Sequence, residues 1–183
     1  MAAVPCEGVH DHARRRGRWR RPALIDRVRE FGVPATYDAD TEECAPGPDP
    51  GYGGRHLSAD AEGLTIYYGR NGKGYLIASS QGDDTFAVYG RGGGNRFIGS
   101  FQVGDHGGVD GVQASDGAMV VNVPLGRDFP KGLFVTHDGA NTPVALDPDG
   151  EIRENTDFKY VKWDDIARPL GLEVDTRSGD PRG

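Results

Sequence analysis

Between Leu64 and Val103 the chain carries four strand-like runs, near 64–68, 74–79, 85–89 and 95–103. They are divided by Asn71-Gly72-Lys73-Gly74, Gln81-Gly82-Asp83-Asp84 and Arg91-Gly92-Gly93-Gly94. Each divider is a hairpin turn signal, Asn-Gly most strongly, because tight hairpin turns need residues that accept positive φ. A chain so punctuated folds locally into an antiparallel meander and has no room for long helices. The 29 glycines and 12 prolines point the same way.

A second set of runs follows near 118–123, 132–137 and 158–162. The two sets are related, since Gly74-Tyr75-Leu76-Ile77-Ala78-Ser79 matches Gly132-Leu133-Phe134-Val135-Thr136-His137 in pattern, and Glu62-Gly63 and Asp116-Gly117 each stand just ahead of a set's first run. Four antiparallel strands in about 40 residues is the size of one propeller blade. The expected class is therefore all-β, a partial β-propeller of about two blades, followed by a short C-terminal helix over Trp163–Arg168 that stops near Pro169. Residues 1–22 are Arg-rich without apolar periodicity and read as a disordered segment, 23–170 as the partial propeller, and 171–183 as a polar tail. Residues 33–58, with Pro34, Pro46, Pro48 and Pro50, read as a long loop. Residues 23–31 fit either a helix, through Leu24, Ile25, Val28 and Phe31, or a short strand over Leu24–Val28.

A net charge of −7 and a pI near 5.2 argue against a nucleic-acid partner, which needs clustered Lys and Arg. The same charge requires metal ions before a phosphate ester can bind. No apolar run approaches the length of a membrane span, and no secretory signal is visible. Cys6 and Cys44 can pair if exported, though their spacing does not demand it. Cys6, His10 and His12 carry zinc-type donors but lack a second Cys pair.

Asp60 and Glu62 lie two residues apart ahead of the first strand, and in extended chain residues i and i+2 point the same way, so both can converge on one cation. The loop Gly104–Gly117 holds Asp105, Asp110 and Asp116 among five glycines, hard oxygen ligands on a pliable backbone that suits calcium; it does not match EF-hand spacing, and Asp-Gly pairs are equally ordinary turn markers. Asp138-Gly139-Ala140-Asn141 offers another carboxylate and an amide oxygen, or a plain Asx turn, and Asp147-Pro148-Asp149-Gly150 reads as a turn. Gly69–Gly74 lacks the ending of a phosphate-cradling loop, and Ser79 and Ser80 read as strand-end residues and not as nucleophiles. His56, His106 and His137 show no pattern that would suit a lactonase-type metal site.

Asp60-Ala61-Glu62-Gly63-Leu64-Thr65-Ile66-Tyr67-Tyr68, Gly74 to Gly82, Asp110-Gly111, Ser115-Asp116-Gly117, Gly132–Val135, Asp138-Gly139 and Phe158–Trp163 together resemble the C-terminal part of the β-propeller phytases. The resemblance covers roughly residues 56–170 and more loosely from 23. It implies a six-bladed propeller with a calcium-lined cleft, of which 64–103 is one blade and 118–162 most of the last, with 24–28 an outer strand of the preceding blade. It further implies Ca²⁺-dependent hydrolysis of phosphate monoesters of myo-inositol hexakisphosphate (phytate), of the 3-phytase type. By the same resemblance Asp60, Glu62 and Asp116 hold the catalytic calcium ions, and Asp110, Asp138 and Asn141 belong to a neighbouring tighter calcium site. Ala140 stands where the family carries Glu, which in that reading weakens one structural calcium. The family's phosphate-gripping Lys and Arg lie upstream, so a complementing N-terminal propeller half is an expected partner. Family members are secreted or periplasmic. The alternative is a non-catalytic calcium-binding propeller fragment or half of a split assembly.

Overall fold

The computed structural model describes residues 24–41, 43–153 and 155–177. The chain divides into two compact units, one up to Leu57 and one from Ser58. In the first, strands β1 (Ala35–Asp38) and β2 (Glu43–Pro46) pair antiparallel, Ala35 opposite Pro46 and Asp38 opposite Glu43. The expected 33–58 loop thus contains a hairpin. Its prolines are compatible with the ladder because Pro34 precedes β1 and Pro46 ends β2, while Asp38 Oδ1 accepts from Asp40 N at 2.9 Å to shape the turn.

Residues 24–28 form neither the helix nor the strand expected. Val28 makes a single parallel bridge to Leu57, and Arg29 N donates to Leu57 O at 2.8 Å. Gly54 N donates to Val28 O, and at Gly53 and Gly54 a Cβ would collide with the carbonyls of Arg29 and Arg27, so a loop presses directly on this segment's backbone. Cys44 is disulfide-bonded. Cys6, the other cysteine of the sequence, and the Arg-rich segment with His10 and His12 lie outside the described residues.

The second unit opens with β3 (Leu64–Tyr68), β4 (Gly74–Ser80), β5 (Thr85–Gly90) and β6 (Phe97–Phe101), a four-stranded antiparallel sheet in sequential order. Asn71 and Gly72 take φ of 58° and 73°, the left-handed pair that the Asn-Gly signal predicts. β6 is shorter than 95–103 because Asn95, at φ 53°, belongs to the turn, its Nδ2 donating to the carbonyls of Gly90 and Arg91.

Then come β7 (Ala118–Val121), β8 (Leu133–Asp138), β9 (Ala145–Leu146), β10 (Ile152–Arg153), β11 (Asp157–Lys162) and helix α1 (Trp163–Ala167). β7, β8 and β11 form a three-stranded sheet with β8 central. The β9–β10 hairpin is closed by the Asp147–Gly150 turn, in which Asp147 Oδ1 accepts from the amides of Asp149 and Glu151. Among the described residues, strands with one short α-helix and two 3-10 turns make the fold all-β in class.

The sequence repeat has a geometric counterpart. Gly74 and Gly132, at φ 128° and 107°, stand at the start of each sheet's second strand, where a Cβ would strike the carbonyl of Tyr67 or Val121 on the preceding strand. The first strands lie against one another. Val120 N donates to Thr65 Oγ1 at 3.1 Å, and Gly63 backs onto Gly117 so closely that a Cβ would stand 2.6 Å from its Cα.

The core fills the space between the two sheets and α1. Phe86 of β5 meets Phe134 of β8 edge-on at 5.1 Å and stacks on Phe101. Trp163, 0% exposed, stacks on Tyr67 with ring centroids 4.7 Å apart. α1 is amphipathic within one turn, burying Trp163, Ile166 and Ala167, and Pro169 follows its end. Residues 171–177, expected as part of a polar tail, instead contribute Leu172 to the core, and the Tyr67 hydroxyl donates to Asp175 O and accepts from Asp175 N. Burial is the main cause that raises the Tyr67 pKa above its ordinary value.

Candidate metal centre

The contact of Gly63 with Gly117 brings the two acidic–glycine units together. Asp60 and Glu62 are exposed ahead of β3, and Asp116, its side chain 63% exposed, lies ahead of β7. Gln81 links them: its backbone N donates to Asp60 O at 2.9 Å, and its Nε2 donates to Asp116 Oδ1 at 2.7 Å. The other Asp116 oxygen lies 3.4 Å from His137 Nδ1. These are hard, solvent-accessible carboxylates of the type that hold divalent cations. Among the described residues, no group of three or more His, Cys, Asp and Glu is spaced to hold a metal ion by itself.

The second predicted set, Asp110, Asp138 and Asn141, is also brought together, but around an ammonium group. Lys159 on β11 is 6% exposed and places Nζ 2.6 Å from Asp110 Oδ1, 2.6 Å from Asn141 Oδ1 and 3.2 Å from Asp138 Oδ2. The remaining oxygens are engaged. Asp110 Oδ2 accepts from Thr142 N at 2.6 Å and Thr142 Oγ1 at 3.0 Å, while Asp138 Oδ1 accepts from the amides of Gln113 and Ala140. Asn141 Nδ2 donates to Asn155 Oδ1. Asp138 Oδ2 is buried without a hydrogen-bond donor, so its compensation is the charge of Lys159.

Sequence reasoning missed both Lys159 and Gln81. Lys159 carries no readable signal, because alternation in β11 would turn Phe158 and Tyr160 inward, whereas both are exposed and Lys159 is buried. Gln81 carries none, being one polar residue in a turn.

The other sequence candidates have structural roles. Asp105 Oδ1 accepts from Gly111 N at 2.7 Å and folds the Gly-rich loop on itself, beside a cleft of about 500 Å³ lined by His106, Asp110 and Thr142 among others. Ser79 Oγ donates to Ser115 O, and Ser80 Oγ accepts from Ser58 N; both serines are buried. At the far end of β3 a cavity of about 520 Å³ is lined by Arg70, Lys73 and Arg91, with Arg70 Nε held 2.8 Å from Asp175 Oδ2.

Two carboxylates carry a pH consequence. The hydrogen bond from Lys159, with those from Thr142, holds the Asp110 pKa down to about 2 from 3.8. At Asp175 burial alone would raise the pKa, but hydrogen bonds from Arg177 and Arg70 outweigh it and leave the group below its ordinary value. A depressed folded-state pKa adds stability above the unfolded value, and that stability disappears as pH falls through the folded value. Stability to urea is therefore expected to drop as pH falls from about 4 towards 2, and Asp110→Asn is expected to flatten that drop. A wild-type profile no steeper than that of Asp110→Asn would contradict this.

The family described as Phytase matches residues 47–182, and the chain belongs to that family. Over 118 residues it is 47% identical to a 3-phytase of Bacillus subtilis (strain 168), a match that takes in 64% of this chain and 29% of the relative. The chain thus spans less than a third of that relative's length.

Proposed function

We propose that this chain is part of a calcium-dependent phytase, a phosphoric-monoester hydrolase acting on myo-inositol hexakisphosphate, in which the four-stranded sheet is one propeller blade and the three-stranded sheet most of another. The observation that carries the reading is the meeting of Glu62-Gly63 with Asp116-Gly117 in a chain of this family. Asp60, Glu62 and Asp116 would hold calcium as part of a larger ligand set, completed by a complementing N-terminal propeller half. Calcium bound there supplies charge neutralisation for phosphate oxygens and lowers the pKa of an attacking water.

The chain's own contribution is orientation and charge. Gln81 fixes Asp116 through one oxygen and the Asp60 backbone through its amide, so the two acidic segments keep one spacing. A chain of net charge −7 attracts a polyanionic ester at that face only once it is metal-loaded. The bonded Cys44 supports an exported, oxidising location.

The test mixes the chain with the upstream portion of the Bacillus subtilis 3-phytase and follows phosphate release from phytate. Release is expected with calcium, abolished by chelator, and reduced roughly 100-fold or more by Asp116→Ala. Equal release in chelator would overturn the reading. Calcium uptake without turnover in the mixture would favour a non-catalytic calcium-binding module.

A further inference from the structure

We infer that Asp110, Asp138 and Asn141 form an internal-cation site in which the Lys159 ammonium takes the place of a metal ion, so that this cluster does not bind calcium. An ammonium carries three N–H donors. Asp110 Oδ1 and Asn141 Oδ1 at 2.6 Å accept from it, and Asp138 Oδ2 at 3.2 Å faces it as a buried charge partner.

Calcium needs 6–8 oxygens at about 2.3–2.6 Å. Here the oxygens that converge do so on Nζ, and the other oxygens of both carboxylates accept from Thr142, Gln113 and Ala140. An entering calcium would have to displace the buried ammonium or share its oxygens with it, two cations at one point.

With Lys159 in place the cluster therefore does not fit the second calcium that the family resemblance implies. The site works instead as a lock that ties β11 and β8 to the Asp110 loop. This inference does not depend on calcium at Asp60, Glu62 and Asp116.

Calcium uptake by the 183-residue chain is measured by calorimetry with CaCl₂ alone, in wild type, Asp110→Asn and Lys159→Ala. Wild type and Asp110→Asn are expected to take up the same number of calcium ions. Loss of one per chain in Asp110→Asn, which keeps the ammonium, would overturn the inference. Lys159→Ala is expected to gain one calcium per chain and to melt several degrees higher when calcium is added. Calcium uptake in Lys159→Ala equal to wild type would also overturn it. Should Lys159→Ala fail to fold in calcium-free buffer, the Asp110→Asn comparison still decides. A failed catalytic reading looks different, as uptake in wild type that Asp116→Ala leaves unchanged.

Discussion

Replacing Trp163 with alanine is expected to destabilise the Ser58–Gly183 unit by about 3–5 kcal/mol, the largest loss from any single apolar truncation here. Trp163 is fully buried, stacks on Tyr67 at 4.7 Å and lies 6.4 Å from Tyr75. It joins the helix to the first and second strands of the four-stranded sheet, so its removal leaves a cavity bounded by rigid strands that cannot close. The melting temperature should fall by about 10 °C or more. Trp163→Phe should cost much less, because the ring stack survives and the indole Nε1, buried without a hydrogen-bond partner, is removed with its desolvation penalty. Equal losses for the two variants in denaturant melts would show that the stack is not what joins these elements.

The second large effect is expected at Lys159. Lys159→Met keeps the length of the stem and removes the charge, stranding Asp138, which is 0% exposed, beside Asp110. Breaking a buried ion pair from one side costs about 3–5 kcal/mol, because the remaining charge has no compensation. Adding Asp138→Asn to Lys159→Met should return more than about 1 kcal/mol of it, a coupling that independent sites do not show. Urea melts in calcium-free buffer read both variants. Strict additivity of the two substitutions would contradict the ion-pair account.

Much of the second unit was legible before its structure. The hairpins of β3 to β6 follow turn residues whose φ values the sequence demands, as at Asn71 and Gly72. The similarity of Gly74–Ser79 to Gly132–His137 reflects two glycines forced by the same close approach to a neighbouring carbonyl. The hairpin β1–β2 was hidden because its proline-rich flanks read as loop, although prolines at a strand's end leave the ladder intact, and of β9–β10 only the Asp147–Gly150 turn was read. Residues 24–28 could not be resolved by periodicity, since what shapes them is the approach of Gly53 and Gly54, about 25 residues away. The ordering of Leu172 and Asp175 depends on the Tyr67 hydroxyl and Arg70, both distant in sequence.

At the candidate metal centre the acidic residues were readable as a pattern, and their grouping into two sets follows the folding of one sheet beside the other. The cation already inside the second set was not readable. Its position depends on the register that sets Lys159 opposite Thr136, with Asp157 opposite Asp138, and register is a tertiary property.

The most direct test of the account is a calcium titration of the ¹⁵N-labelled chain followed by NMR. Millimolar calcium is expected to shift the amides of Asp60 to Gly63, Gln81, Asp116 and Gly117, and to leave those of Asp110, Asp138 and Asn141 in place. Shifts confined to Asp110, Asp138 and Asn141, or none at the paired acidic–glycine segments, would contradict it.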